Sequence, residues 1–271
     1  ELFIRWFQFS AFSPMLEVVM GGQHTPWYDY SPRMIAATRE QAFLHHDFIP
    51  YTRSLMFEAT RTGAPLMRPL AFSYPQDPAV ATMGDQFLYG PELLVAPVLE
   101  EKQTRRPVYL PAGRWFDYHD RKTVHAGGKI ITADAPLERI PVFAREGAIV
   151  PRGQIFKGND TWTKDWAPSL HVEVFPSDKV PGRFAYYTGK EARPITAVTK
   201  KGRTTITLPD LGTPGTLEVF VSAVKGVRRN GKALTAGTDY TFDAATNRLA
   251  IAFQGAGTFE LDGATSLFPA D

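Results

Sequence analysis

The seven residues Gly21-Gly22-Gln23-His24-Thr25-Pro26-Trp27 hold the densest set of groups suited to a small polar ligand. Two adjacent glycines allow the backbone to approach a ligand closely, because neither carries a Cβ. Gln23 and His24 supply donors and acceptors for hydroxyl groups. Trp27 offers a flat apolar face that matches the C–H face of a pyranose. The competing readings are an exposed loop histidine for His24 and packing beneath the loop for Trp27. Two carboxylates flank the stretch, Glu17 before it and Asp29 after it. Two carboxyls close together, one ionised and one protonated at rest, can divide nucleophilic and acid–base work. The plainer reading of Glu17 is a structural or supporting acid.

Other reactive residue types give less. His45-His46 stands in a helical stretch, where adjacent side chains diverge; a chelating pair needs a spacing of four. No zinc or calcium signature is present, and neither a metal nor a cofactor is expected. Cysteine is absent, which excludes disulfides, thiolate metal sites and a cysteine nucleophile but does not fix a compartment. Arg68 lies among apolar residues and should be partly buried in a structural ion pair with Asp85 or Asp77. His119 and His125 flank a basic turn and should be exposed. Tyr186, Tyr187, Trp162 and Trp166 are either sugar-binding platforms or core and interdomain contacts.

These residues are positioned by two kinds of element. In Glu1 to Phe9, apolar residues recur at 2, 3, 6, 7 and 9, the pattern of a helix. It opens at Glu1 with no N-cap before it, which suggests a longer parent chain. Ala11 to Met20 is short, apolar and β-branched toward its end, and reads as a buried strand leading into the glycine loop. Ser31-Pro32 is an N-cap followed by proline at the first helical position. Helical spacing then runs to about Thr62, with Pro50 dividing it and Gly63 capping it. Beyond Pro75 the texture becomes short β-rich runs, such as His171 to Phe175, Thr204 to Leu208 and Arg248 to Phe253. Their period-two alternation marks half-buried antiparallel strands, and Asn230-Gly231 marks a tight hairpin turn. The fold class is therefore multidomain, α/β followed by all-β: a helix–strand–helix segment over 1–80 and two antiparallel β-sandwiches over 81–158 and 159–271.

The chain is long enough for about two cores, with 271 residues and 44% hydrophobic content. Its 30 basic and 28 acidic side chains nearly balance, so nucleic acid is not an expected partner. No run of eighteen apolar residues exists, and a membrane is not expected either.

Five stretches, in order, are similar to glycoside hydrolase family 31, the α-glucosidases and α-xylosidases. They are ELFIRWFQFSAFSP (1–14), GAPLMRPLAFSYP (63–75), QFLYGPELLVAPV (86–98), VYLPAGRWFDY (108–118) and PLERIPVFAREGAIVP (136–151). The resemblance implies the last part of a (β/α)8 barrel, followed by proximal and distal β-sandwiches. It implies a retaining α-glycosidase whose two catalytic aspartates stand on earlier barrel strands, so no catalytic residue is expected in this chain. In the family a histidine after the last barrel strand contacts the sugar; together with the residue types of the Gly21–Trp27 loop, this makes Gln23, His24 and Trp27 the expected wall of the sugar pocket. Many members show Arg-x-His just after the Ser-Pro; here Met15 to Gln23 follows instead and His24 sits farther on, a departure that points to a different sugar. Residues after about 81 read as scaffold. The partners implied are a carbohydrate substrate and the remainder of the barrel, and a homo-oligomer is compatible. The alternative is a non-catalytic carbohydrate-binding or structural module.

Overall fold

The computed structural model describes residues 1–19, 25–156 and 166–267. The chain opens with α1 (Leu2–Ala11), the single turn α2 (Pro26–Asp29), α3 (Pro32–Asp47) and α4 (Ile49–Thr62). The Ser31 hydroxyl accepts the Met34 amide at 3.4 Å and Pro32 occupies the first turn of α3. Pro50 lies in the first turn of α4, where its missing N–H costs nothing, so the long helical stretch splits at Phe48. Gly63 ends α4 in the left-handed region at φ 73°, its amide donating to Ala59 O at 2.9 Å.

The strand expected over 11–20 does not form over its described residues, 11–19. Instead α1 runs to Ala11, the Phe12 and Ser13 amides turn back onto Phe9 O and Ser10 O, and residues 15–19 belong to no element. Met15 and Val19 are 73% and 83% exposed. A strand exists only through lateral hydrogen bonds, and among the described residues none lies alongside this segment.

The remainder is mostly sheet. After β1 (Met67–Pro69) and the short α5 (Leu70–Ser73) come β2 (Phe87–Tyr89), β3 (Leu93–Val95), β4 (Arg105–Leu110), β5 (Arg114–Asp117), β6 (Val124–Ala126), β7 (Lys129–Asp134), β8 (Val142–Arg145) and β9 (Ile149–Gln154). The first sheet runs β1-β2-β3-β8-β5-β6, and β4-β7 forms a separate ribbon. Alternate residues of the first sheet serve two cores. Leu88, Leu94, Trp115 and Phe143 pack with Val108 and Leu110 of the ribbon. Tyr89, Leu93, Val95 and Phe116 face the helices, where Phe12, Phe48, Tyr51 and Leu55 meet them. Burial of both faces explains why all three residues of β3 are apolar and inaccessible.

The chain continues with β10 (Ser169–Val174), β11 (Gly182–Tyr187), β12 (Ala192–Lys200), β13 (Arg203–Leu208), β14 (Gly215–Ala223), β15 (Gly226–Arg229), β16 (Lys232–Ala233), β17 (Tyr240–Asp243), β18 (Arg248–Phe253), β19 (Gly257–Asp262) and β20 (Thr265–Ser266). The second sheet is β17-β18-β14-β10-β9, with β20 on β14; the third is β11-β12-β13-β19-β15-β16. Every second residue of β13, β18 and β19 is buried between these two sheets. One pairing departs from the antiparallel expectation: β10 and β14 run parallel, from Leu170↔Gly215 to Val174↔Val219. Strands β11 to β13 intervene in the opposite sheet, and this long crossover returns the chain in its original direction. Asn230 and Gly231, at φ 51° and 79°, turn β15 into β16 as the sequence indicates.

The helices dock on the sheets through close contact at Gly90. Its φ is 61°, and a Cβ there would fall 2.3 Å from Tyr51 Oη and 2.8 Å from Leu55. Tyr51 Oη donates to Tyr89 O at 2.8 Å and accepts the Glu92 amide at 3.3 Å. No helix among the described residues is long and apolar enough to cross a membrane.

Candidate functional site

The two sides of α1 do different things. Ile4, Arg5, Gln8 and Ala11 recur at spacings of one, three and three and are buried. Arg5 is 6% exposed at its side chain. Its Nη1 donates to Pro136 O (3.0 Å), Arg139 O (3.2 Å) and Gln8 Oε1 (3.3 Å), and its Nη2 to Ala135 O (2.8 Å) and Gln103 O (2.9 Å). Gln8 Nε2 adds Leu137 O at 2.8 Å. Arg33, at the start of α3, reaches Glu138 with Nε at 2.7 Å. The segment 135–139 is thus gripped from α1 and α3, and these contacts set the orientation of both helices on the sheets.

The opposite side of α1 is apolar and uncovered. Leu2 and Trp6 are 75% and 66% exposed. Phe3 packs on Phe7 and on Tyr30, with ring centroids 5.6 and 5.2 Å apart. Across from them lie Leu16, Val18 and Val19, and the two sides enclose a groove of about 490 Å³. Glu17 is the only carboxylate lining this groove among the described residues. One carboxylate can polarise or orient a ligand, but it cannot supply both the nucleophile and the acid of a retaining cleavage.

Tyr30, which lines this groove, follows the stretch 21–27 in sequence. Gln23 and His24 lie outside the described residues, as does the Trp27 side chain. The Trp27 backbone falls in α2, which the Tyr28 and Asp29 amides close onto Thr25 O at 3.0 and 3.1 Å. Asp29 is exposed.

Several other sequence expectations fall differently. Arg68 is buried and ion-paired, but with Glu58 at 3.1 Å rather than Asp85 or Asp77. Asp85 is taken by Arg106 at 2.5 Å, and Asp77 accepts the Tyr109 hydroxyl at 2.6 Å. His119 is not free on the surface: its Nε2 sits 2.6 Å from Ile140 O, and burial lowers its pKa. His45 Nδ1 lies 3.2 Å from Ala11 O, joining α3 to the end of α1, and burial lowers its pKa too. Tyr186 belongs to the core, and Tyr187 stacks on Phe57 of α4 at 4.3 Å. Trp162 lies outside the described residues. No group of three or more His, Asp or Glu able to hold a metal occurs among the described residues.

Sequence reasoning passed over the two buried hubs. The sequence signal for Arg5 is a cation within an apolar helical pattern. The other hub joins Asp47, at the end of α3, to Arg152 (3.1 Å), and Arg152 to the fully buried Glu173 (3.0 Å). Its only sequence signal is a glutamate inside an apolar strand pattern.

Comparison with known proteins adds to this geometry. Residues 63–150 match the glycosyl hydrolase family 31 C-terminal domain. A 1,6-alpha-glucosyltransferase of Sporosarcina globispora is 35% identical over 192 residues, covering 69% of this chain and 14% of that protein. Alpha-glucosidase 2 of Bacillus thermoamyloliquefaciens is 32% identical over 163 residues, or 59% of this chain and 20% of that one. A GH31 dextranase of Flavobacterium johnsoniae, solved with glucose, superposes with a TM-score of 0.85 over 96% of this chain and 37% of its own, at 26% identity. The chain spans between a seventh and a fifth of these two curated relatives. Its sheets, its helices and its ordered sequence matches all place it in glycoside hydrolase family 31, as that family's C-terminal portion.

Proposed function

We propose that this chain closes the catalytic barrel of a retaining α-glycosidase that acts on an α-glucoside or α-xyloside. In this reading residues 1–80 are the last barrel segment, 81–158 the proximal sandwich and 159–271 the distal one. The catalytic aspartate pair stands on barrel strands outside this chain. Gln23, His24 and Trp27 contribute one wall of the sugar pocket. The observation that carries this is the α1 face. An aromatic, solvent-exposed helix side with Glu17 as its one carboxylate among the described residues is an unfinished interface, complete only when further barrel elements cover it. A free-standing binding module would not expose it. The relatives support glycosyl chemistry without fixing the acceptor, since one is named a glucosyltransferase and another a glucosidase. Hydrolysis is the reading preferred here.

The test compares Glu1–Asp271 with a protein extended by the preceding residues of the parent. Only the extended protein should release nitrophenol from nitrophenyl α-glucoside or α-xyloside. Equal turnover by Glu1–Asp271 alone would overturn the assignment of the nucleophile to another segment.

A further inference from the structure

A half-open cleft of about 420 Å³ lies on the outer face of the second sheet, where the turn after β5 meets it. Four adjacent strands, β9, β10, β14 and β18, turn one side to this cleft. They bring Arg152, His171, Glu218 with Phe220, and Arg248 into its floor. Their alternate neighbours, such as Val172, Leu217 and Leu249, fill the core on the other side.

The floor is rigid because its charges hold one another. Glu173 and Glu218 stand opposite in the parallel register of β10 and β14. Two like charges side by side are unfavourable unless cations are interposed. Arg121 and Arg152 bind Glu173 at 2.8 and 3.0 Å. His171 (3.3 Å) and Arg248 both bind Oε1 of Glu218. Burial opposes the Glu218 charge, but these two hydrogen bonds more than offset it and hold the carboxyl at about 2. The Arg121 guanidinium lies over the Tyr118 and Phe220 rings, at 4.7 and 5.7 Å.

The two rims are built alike. Asp120 accepts the Lys122 and Thr123 amides at 2.8 and 2.9 Å and the Thr123 hydroxyl at 2.6 Å. Asp243 accepts the Ala245 amide at 2.8 Å and the Thr246 hydroxyl at 2.6 Å. Each rim carboxylate is therefore fixed in direction while remaining exposed.

The chemistry of the ligand follows from this inventory. The lining carries three arginines, at 121, 152 and 248, against three carboxylates, at 120, 218 and 243. Such balance offers no net attraction to a phosphate or other anion. The volume falls within the roughly 300–1,000 Å³ of small-molecule sites. Fixed donors beside fixed acceptors suit a neutral ligand dense in hydroxyl groups, each of which both donates and accepts. We propose that this cleft binds a neutral oligosaccharide, held between the Asp120 and Asp243 rims over the Glu218–Arg248 pair. The polyhydroxyl class rests on the cleft alone, and the choice of an α-glucan rests on the family reading above.

The experiment titrates Glu1–Asp271 with maltotriose, isomaltotriose and, as the anionic comparator, inorganic phosphate, followed calorimetrically. Saturable binding of a trisaccharide is expected, with phosphate silent. Arg248→Gln should weaken it about ten-fold, the equivalent of one charge-assisted hydrogen bond. Arg248→Gln leaves Glu218 its His171 partner, and the rim variants Asp120→Asn and Thr246→Ala give independent readouts should it fold poorly. Circular dichroism melts check each variant. No saturable trisaccharide binding up to the solubility limit, binding of phosphate in preference to sugar, or sugar binding untouched by all folded variants would each overturn the proposal. The outcome is separable from the enzymatic reading, since the titration needs no turnover and the turnover assay needs no variant of this cleft.

Discussion

Replacing Arg5 with methionine keeps an apolar stem but removes five hydrogen bonds from one buried guanidinium. The carbonyls of Gln103, Ala135 and Pro136 would lose a charged donor in a site with little room for water. A loss of about 2–4 kcal/mol is expected, read as a lower urea midpoint. An unchanged midpoint would mean the carbonyls find other donors. Glu92 gives a pH dependence of definite sign. It is fully buried, and burial pushes its carboxyl from 4.5 up to about 7 against the pull of Arg145. The folded state therefore holds a proton that the unfolded chain releases. Its contribution is complete below about pH 4.5 and is lost as pH rises through about 7, at up to about 1.4 kcal/mol per pH unit. Glu92→Gln, which keeps a neutral group there, should flatten this part of the stability–pH curve; a parallel curve would refute the shift. Neither residue could be assigned a partner from sequence. The acceptors of Arg5 lie about a hundred residues away, and Arg68 chose Glu58 in the preceding helix over the aspartates that follow it. Local pattern shows that a charge will be buried, not which distant group it meets.

Elements were legible where their ends are chemically marked. Ser31-Pro32, Pro50, Gly63 and Asn230-Gly231 each act through their own backbone, and all four stand where the sequence puts them. The segment 11–20 was misread because a strand is a property of its neighbours, and apolar content alone does not supply them. The residues Gly21 to His24 lie outside the described residues. α1 shows the same dependence from the other side: Ile4 and Ala11 are buried, while Leu2 and Trp6 are left in solvent. Exposed aromatic faces of this kind drive self-association. Sedimentation of Glu1–Asp271 should show a concentration-dependent rise in mass, which the double variant Leu2→Gln, Trp6→Gln should largely remove. Since both side chains are already mostly exposed, the variant should cost less than about 1 kcal/mol of stability. A wild-type chain that stays monomeric at high concentration would sink this account of the face, and with it the main support for the proposal that the chain closes a barrel.

At the scale of the whole molecule, alternation foretold sheets but not their partition. Parallel pairing of β10 with β14 arises from long-range return of the chain that no local period encodes. The consequence is that the helices and the sheets are not separate bodies. Phe12, Phe48, Tyr51 and Leu55 share one continuous core with Val142, Ile149, Leu170 and Phe184. Asp47–Arg152–Glu173 adds a buried polar tie between α3 and the second sheet, and Ser54 Oγ accepts the Tyr187 amide at 3.0 Å between α4 and the third. Elements that bury each other's apolar surface lose it together, so their unfolding is coupled. Glu1–Asp271 should therefore unfold in one transition, with α-helical and β-sheet signals lost at the same temperature and the calorimetric enthalpy equal to the van't Hoff value. Arg152→Met should lower that temperature without splitting the transition, because the apolar core still joins the parts. Helical signal lost well before sheet signal in the unaltered chain would show instead that the sheets beneath do not hold residues 1–62 in place.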